Sequence, residues 1–288
     1  MPPFLEALSG KLGDRWLGLL LPGVPLVGAA LIAVLLGHRH WADLPRLADA
    51  ADRLAAWPAT STVLGAVAVL LAAGAAGVAA RSVGGGLRTL WTQPWPRGGR
   101  RLTTRRRDRW QRLQDEYERL VLAGHRGEPV DDERVQALGR RRNRIALTEP
   151  GRPTWMGDRL AAAGARVRAE YGVDLAAAWP RLWLLLGEDG RTPIRQAAAA
   201  LDAAAVLTGW GMLYVVVGVR WWPSALIGAA AVGTGWWRAR QATGTYAEFT
   251  ESVADLHLTV LAQHLGLTGV VDIRDAGPEI SSRLRKGA

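Results

Sequence analysis

Apolar residues crowd into a few long stretches of this chain and are sparse between them. Trp16–Gly37 (WLGLLLPGVPLVGAALIAVLLG) and Ala59–Ala80 (ATSTVLGAVAVLLAAGAAGVAA) are each 22 residues without a charge. A third apolar run, Leu201–Trp237, is 37 residues long, with Asp202 at its start and Arg220 at its middle in the string YVVVGVRWWPSAL. As one helix it would extend roughly 55 Å at about 1.5 Å per residue. A bilayer core is only about 30 Å thick and takes around 20 residues. Arginine is costly at the bilayer centre and is hydrated at its surface. Cutting at Arg220 leaves two span-length pieces, 201–219 and 221–237. Trp221 and Trp222 suit the headgroup layer, where the ring body is in lipid and the N–H is wet. Pro223 suits a first helical turn, where no amide hydrogen is needed. The pattern predicts a membrane hairpin with its tip at Arg220.

The N-terminal stretches predict a second hairpin over residues 16–80, with spans 16–37 and 59–80. Lys11 and Arg15 precede the first span as a secretory signal would require. Its apolar part is longer than the usual 7–15 residues and lacks a small-residue cleavage pattern, so it reads as a retained anchor. Within the outer loop 38–58, Leu44, Leu47, Ala51 and Leu54 recur at helical spacing behind a capping Asp43. This predicts an amphipathic helix lying on the membrane surface. Trp16, Trp57, Trp221, Trp222, Trp236 and Trp237 are the expected interfacial anchors, with Trp41 beside the loop. Pro22 and Pro25 are a candidate break in span one, of the kind that can mark a binding or gating site.

Between the hairpins, residues 81–192 read as a folded helical domain. Gly84–Gly86 and Pro94–Gly99 predict a flexible exit from the second span. Helices are expected from Thr103 or Thr104 to Ala123, over Asp131–Asn143, and over Thr154–Tyr171. Asp108–Arg112 and Asp115–Arg119 are candidate i,i+4 pairs on the first of these. Leu175–Leu186 is apolar and is expected to be split by Pro180. A helix starting at Thr192 and Pro193 leads straight into the third span, within a hairpin region 193–237. Residues 238–288 complete the chain: Tyr246, Phe249, Val253, Leu256 and Val260 form a heptad-like stripe, and the tail from Ser281 is expected to be disordered. The stripe fits packing on the domain or self-association into a homo-oligomer.

Charge sets the orientation. Residues 81–195 hold 24 Arg against 14 Asp plus Glu, while loop 38–60 balances three Arg with three Asp. The positive-inside rule then places 81–195 in the cytoplasm, with residues 1–15 and the C-terminus on the same side. The expected location is the bacterial cytoplasmic (inner) membrane, multi-pass. The fold class is all-α, an integral membrane protein with four transmembrane helices in two hairpins and a helical cytoplasmic domain. Mean hydropathy is only +0.03 because the apolar spans are averaged against polar segments.

The basic residues exceed what topology needs. Arg97, Arg100, Arg101, Arg105, Arg106, Arg107, Arg109 and Arg112 are candidates for binding anionic lipid headgroups or another polyanion. A plain solvated helix face is the other reading, and no nucleic-acid-reading motif is present. A cytoplasmic protein partner is also compatible with a folded basic domain. With no cysteine there is no thiolate metal site, and no acyl- or phosphoryl-transfer constellation is visible. The expected activity is therefore non-enzymatic, with no cofactor and no metal. Glycines recur in all four spans, and the spans lack the buried carboxylates of proton-coupled transporters.

Pro153–Leu186, followed by LDAAAVL at the third span and VADLHL at Val253–Leu258, resembles a group of uncharacterised bacterial multi-span membrane proteins. That resemblance covers the second half of the chain and implies topology without any assigned activity. The layout of two hairpins around a cytoplasmic domain is also similar to four-span pore-forming effectors of bacterial defence systems. It implies a domain that senses a ligand or partner and passes its state to the membrane bundle, opening an oligomeric pore. The alternative is a membrane tether for an anion-binding module.

Overall fold

A computed structural model describes residues 22–95, 98–267 and 272–285. Every regular element among them is an α-helix. In chain order these are α1 (Pro22–Leu36), α2 (Leu44–Ala55), α3 (Ala59–Thr92), α4 (Gly99–His125), α5 (Asp132–Ile145), α6 (Trp155–Tyr171), α7 (Leu175–Leu185), α8 (Glu188–Gly218), α9 (Trp222–His264) and α10 (Ile273–Arg285). Two of them, α3 and α8, are long and apolar enough to cross a membrane. Trp16, Arg97 and the whole N-terminal stretch before Pro22 lie outside the described residues.

The chain divides into two compact units. The first comprises the described residues of Met1–Leu87 with Asp202–Ala239, and the second those of Arg88–Leu201 with Arg240–Ala288. Helices α3, α8 and α9 contribute residues to both.

In the first unit, small residues face inward and large apolar ones face outward. Along α3, Ala73, Gly77, Ala80 and Gly84 are buried, while Val63, Leu64, Leu71 and Val78 are each at least 59% exposed. Only 17% of the apolar window of α3 is buried, the reverse of a core helix in a water-soluble protein. Backbones approach at the small positions. A Cβ added at Gly209 would lie 2.2 Å from the Ala80 carbonyl oxygen, and one at Gly84 2.9 Å from the Val206 Cα. Gly211 and Gly228 bring α8 and α9 together in the same way, and Gly235 fits against Thr208. Van der Waals contact between closely apposed backbones is how helices associate where no hydrophobic driving force acts between them.

The break at Arg220 is where the pattern placed it. Helix α8 ends at Gly218 and α9 begins at Trp222. The buried Ser224 hydroxyl closes the hairpin by donating to the Tyr214 carbonyl at 2.8 Å. The tip is joined to the end of α1: His38 Nδ1 donates to the Arg220 carbonyl at 2.7 Å, and Trp221 Nε1 donates to the Trp41 carbonyl at 3.0 Å. The Trp41 and Trp222 rings meet at 5.1 Å. Helix α2 starts at the Asp43 cap and leaves Leu44 72% and Leu54 52% exposed, an apolar stripe with no covering element among the described residues. Trp57, Trp236 and Trp237 are exposed as well. Pro22 and Pro25 lie in the first described turn of α1, and the helix is unbroken from there to Leu36.

The second unit has an ordinary core, built from Val173, Leu182, Ile194, Leu258 and Ile280 among others, with α6, α7, α9 and α10 packed around it. Several local expectations change here. Helix α3 continues through Gly84–Gly86 to Thr92, since Gly84 is a contact point rather than a hinge. Helix α4 starts at Gly99 behind Gly98, whose φ of 80° only glycine adopts freely; Thr103 bonds back to the Gly99 carbonyl instead of capping. Arg112 and Arg119 donate to the main-chain carbonyls of Asp108 and Asp115, not to their carboxylates. Helix α7 runs through Pro180, because burial of Ala178 and Leu182 on either side outweighs one lost main-chain bond. Pro193 lies inside α8, which starts earlier, at Glu188. The stripe on α9 divides: Val253 is in the core, whereas Leu256 is 73% exposed. Residues from Ser281 are helical to Arg285, and Ile280 and Leu284 are buried.

Candidate anion-binding site

Helices α4 and α5 form a hairpin whose inner seam is aromatic and whose outer rim is basic. Trp110 Nε1 donates to the Ala146 carbonyl at 2.9 Å. The Arg142 guanidinium lies 5.0 Å from the Tyr117 ring and 6.0 Å from Trp110, and donates to Gln114 Oε1 at 2.7 Å. Arg134 pairs with Glu116 at 3.0 Å, and Leu138 is buried beneath. These contacts fix the register of the two helices.

That register aligns two arginine pairs. Arg109 and Arg112 on α4, with Arg141 and Arg144 on α5, line a cavity of about 680 Å³ together with Leu113 and Ile145. Each pair is spaced i,i+3 and so shares one helix face. Among the described residues, no carboxylate lies within 4.0 Å of any of the four. The four arginines are exposed around the cavity, and an anion between them would balance their like charges. Planar guanidinium donors match the oxygens of a phosphate two at a time.

The predicted arginines among the described residues therefore separate into three kinds. Arg109 and Arg112 line the cavity, and α5 adds Arg141 and Arg144, which lie outside the basic run 97–112. The available signal was the RRRNR run at Arg140–Arg144, on the polar side of a helix adjacent in sequence. Arg100, Arg101 and Arg105 are exposed and do not line it. Arg106 and Arg107 are engaged internally. Arg107 pairs with Glu149 at 2.8 Å. Arg106 reaches the Asp158 carboxylate at 2.6 Å and the Ile145 carbonyl at 2.8 Å. Asp158 is buried and also accepts from the Gly151 and Arg152 main-chain N–H groups at 2.9 and 2.7 Å. Burial holds its carboxyl above the usual carboxylate range, against the pull of those hydrogen bonds and of Arg106. Arg240 stacks 4.4 Å from the Trp155 ring on the same side, and burial, with Arg106 nearby, pushes its pKa down.

Among the described residues, no three His, Cys, Asp or Glu gather in a metal-binding arrangement. No protein-family model, curated protein or solved structure matches the chain.

Proposed function

We propose that the protein is a four-span membrane protein whose basic helical domain binds a compact, phosphate-bearing anion between α4 and α5. It acts as a binding protein with no chemical step of its own. The observation that carries the anion site is the quartet Arg109, Arg112, Arg141 and Arg144, which line one cavity without a carboxylate partner among the described residues. The membrane reading is supported by the outward leucines and valines of α3, where an exposed patch this size would aggregate in water. Spans one and four, α1 and the first part of α9, complete two hairpins joined at the His38–Arg220 tip. The positive-inside rule orients the domain to the cytoplasm of a bacterial inner membrane. A concave basin suits a multiply charged soluble ligand better than a flat array of lipid headgroups.

The test is titration of inorganic tripolyphosphate into the full-length protein in nanodiscs of neutral lipid. Charge-assisted hydrogen bonds contribute about 1.5–3 kcal/mol each. Changing all four arginines to glutamine is expected to weaken binding at least ~100-fold with the helical circular-dichroism signal retained. Equal binding by that variant would remove the site. A second reading, in which the bound state is passed to the bundle or opens an oligomeric pore, draws on the three helices shared by both units. Vesicle leakage that responds to tripolyphosphate would favour it.

A further inference from the structure

The two helices that line the basin carry one pattern twice. Residues 109–113 read RWQRL and residues 141–145 read RRNRI: an arginine, a second arginine three positions on, and an apolar residue next to it. Both copies line the same cavity, so its wall combines four guanidinium groups with the side chains of Leu113 and Ile145. The register of the hairpin orders them. Trp110 reaches Ala146, Arg142 reaches Gln114, and Gly139 lies against Tyr117. Those three contacts make the helices antiparallel and put Arg112 level with Arg144. Arg109 and Arg141 then lie three residues to opposite sides of that level, and the four extend over roughly 9 Å at about 1.5 Å per residue. Leu113 and Ile145 are within one residue of the centre.

Two features of this arrangement ask for more than a bare anion. The row of arginines is longer than one phosphate group and matches several linked in a chain. Its centre is apolar. Charged oxygens held against Leu113 and Ile145 would lose water and gain no hydrogen bond there. A flat ring covers the same two side chains and removes their apolar area from water. Guanidinium groups serve both parts, because their edges donate to phosphate oxygens and their faces stack on aromatic rings. The protein's own rings do not take that place, since Trp110 and Tyr117 are engaged by Arg142 in the seam. At about 680 Å³ the cavity is within the range of small-molecule sites, about 300–1,000 Å³, and holds a ring beside the phosphates.

We propose that the occupant is a nucleoside polyphosphate, with its base on Leu113 and Ile145 and its phosphate chain along the arginines. This occupant presupposes the anion site proposed above and adds a ring to it. Calorimetric titration of the full-length protein in neutral-lipid nanodiscs with adenosine triphosphate and with tripolyphosphate tests it. Adenosine triphosphate is expected to bind about tenfold more tightly, the effect of one stacked base, although tripolyphosphate carries at least as much charge. Leu113→Ser with Ile145→Thr leaves all four arginines. It is expected to bring adenosine triphosphate down to the affinity of tripolyphosphate while tripolyphosphate binding is unchanged. Saturation-transfer NMR on the unaltered protein is an independent readout, and decides the matter if the double variant loses tripolyphosphate as well. Irradiating protein methyl groups should saturate the adenine protons more strongly than the ribose protons. Equal affinity for the two probes, or adenine protons that receive no saturation, overturns the nucleotide and leaves the anion site standing. Binding of neither probe removes both.

Discussion

Asp158 shows how far one residue's role depends on its surroundings. Its carboxylate closes the loop 150–152 through two main-chain donors and neutralises Arg106. Removing one partner of a buried pair costs about 3–5 kcal/mol, because the remaining charge is left without compensation. Asp158→Ala is therefore expected to lower stability by roughly that amount in denaturant titrations of the detergent-solubilised protein. Asp158→Asn keeps an oxygen for Gly151 and Arg152, and burial already disfavours the charged form. Its loss should be smaller, about 1–2 kcal/mol. In the first unit, Gly209→Ala places a methyl against the Ala80 carbonyl and is expected to cost about 1–3 kcal/mol as overpacking. A thermal shift assay reads that loss, and an unchanged melting point would contradict the close approach of α3 and α8. Within the basic run, Arg106 and Arg109 look alike in sequence. Only the Asp158 partner, 52 residues away, sets them apart.

At the scale of elements, α10 is the instructive miss. The segment from Ser281 reads as a disordered tail, yet Ile273, Ala276, Ile280 and Leu284 recur at helical spacing and the last three are buried. Gly277 admits the Tyr171 carbonyl, and Pro278 packs on Gly172. Arg285 donates to Asp174 at 2.6 Å, and Arg168 reaches the same carboxylate at 2.8 Å. The Arg285 hydrogen bond leads in holding Asp174 below its ordinary value of 3.8. A depressed folded value means the stabilisation is present above about 3.8 and is lost as pH falls through the lower folded value. Hydrogen exchange in α10 should therefore rise selectively below pH 4. Arg285→Gln should bring the same looseness at neutral pH. The break between α8 and α9, by contrast, was legible, because a charge, two tryptophans and a proline interrupt one apolar run.

For the molecule as a whole, the absence of cysteine makes sidedness directly measurable. Arg39→Cys, at the hairpin-tip end of the first unit, is expected to react with an impermeant maleimide in intact spheroplasts. Arg119→Cys, on α4, should react only after permeabilisation. Reversed labelling would invert the topology, and equal labelling of both would refute insertion. The second unit draws together residues 88–201 and the segment after Ala239, so its core joins chain positions more than 80 residues apart. That long-range assembly brings Val173 and Leu182 onto Leu258 and Ile280, and it is invisible to any local window.

The linear pattern alone determined that the chain is helical, where its apolar stretches lie, where the third run is interrupted, and where along the sequence its charge accumulates. Each of these is a local property: a run of apolar residues has one length and a charge one position. Tertiary structure decided which glycines are contacts, which arginines are consumed by internal partners, and which four face a common cavity. Those outcomes depend on the register between helices. Register is set by side chains meeting across long separations in sequence, so no single stretch of the chain encodes it.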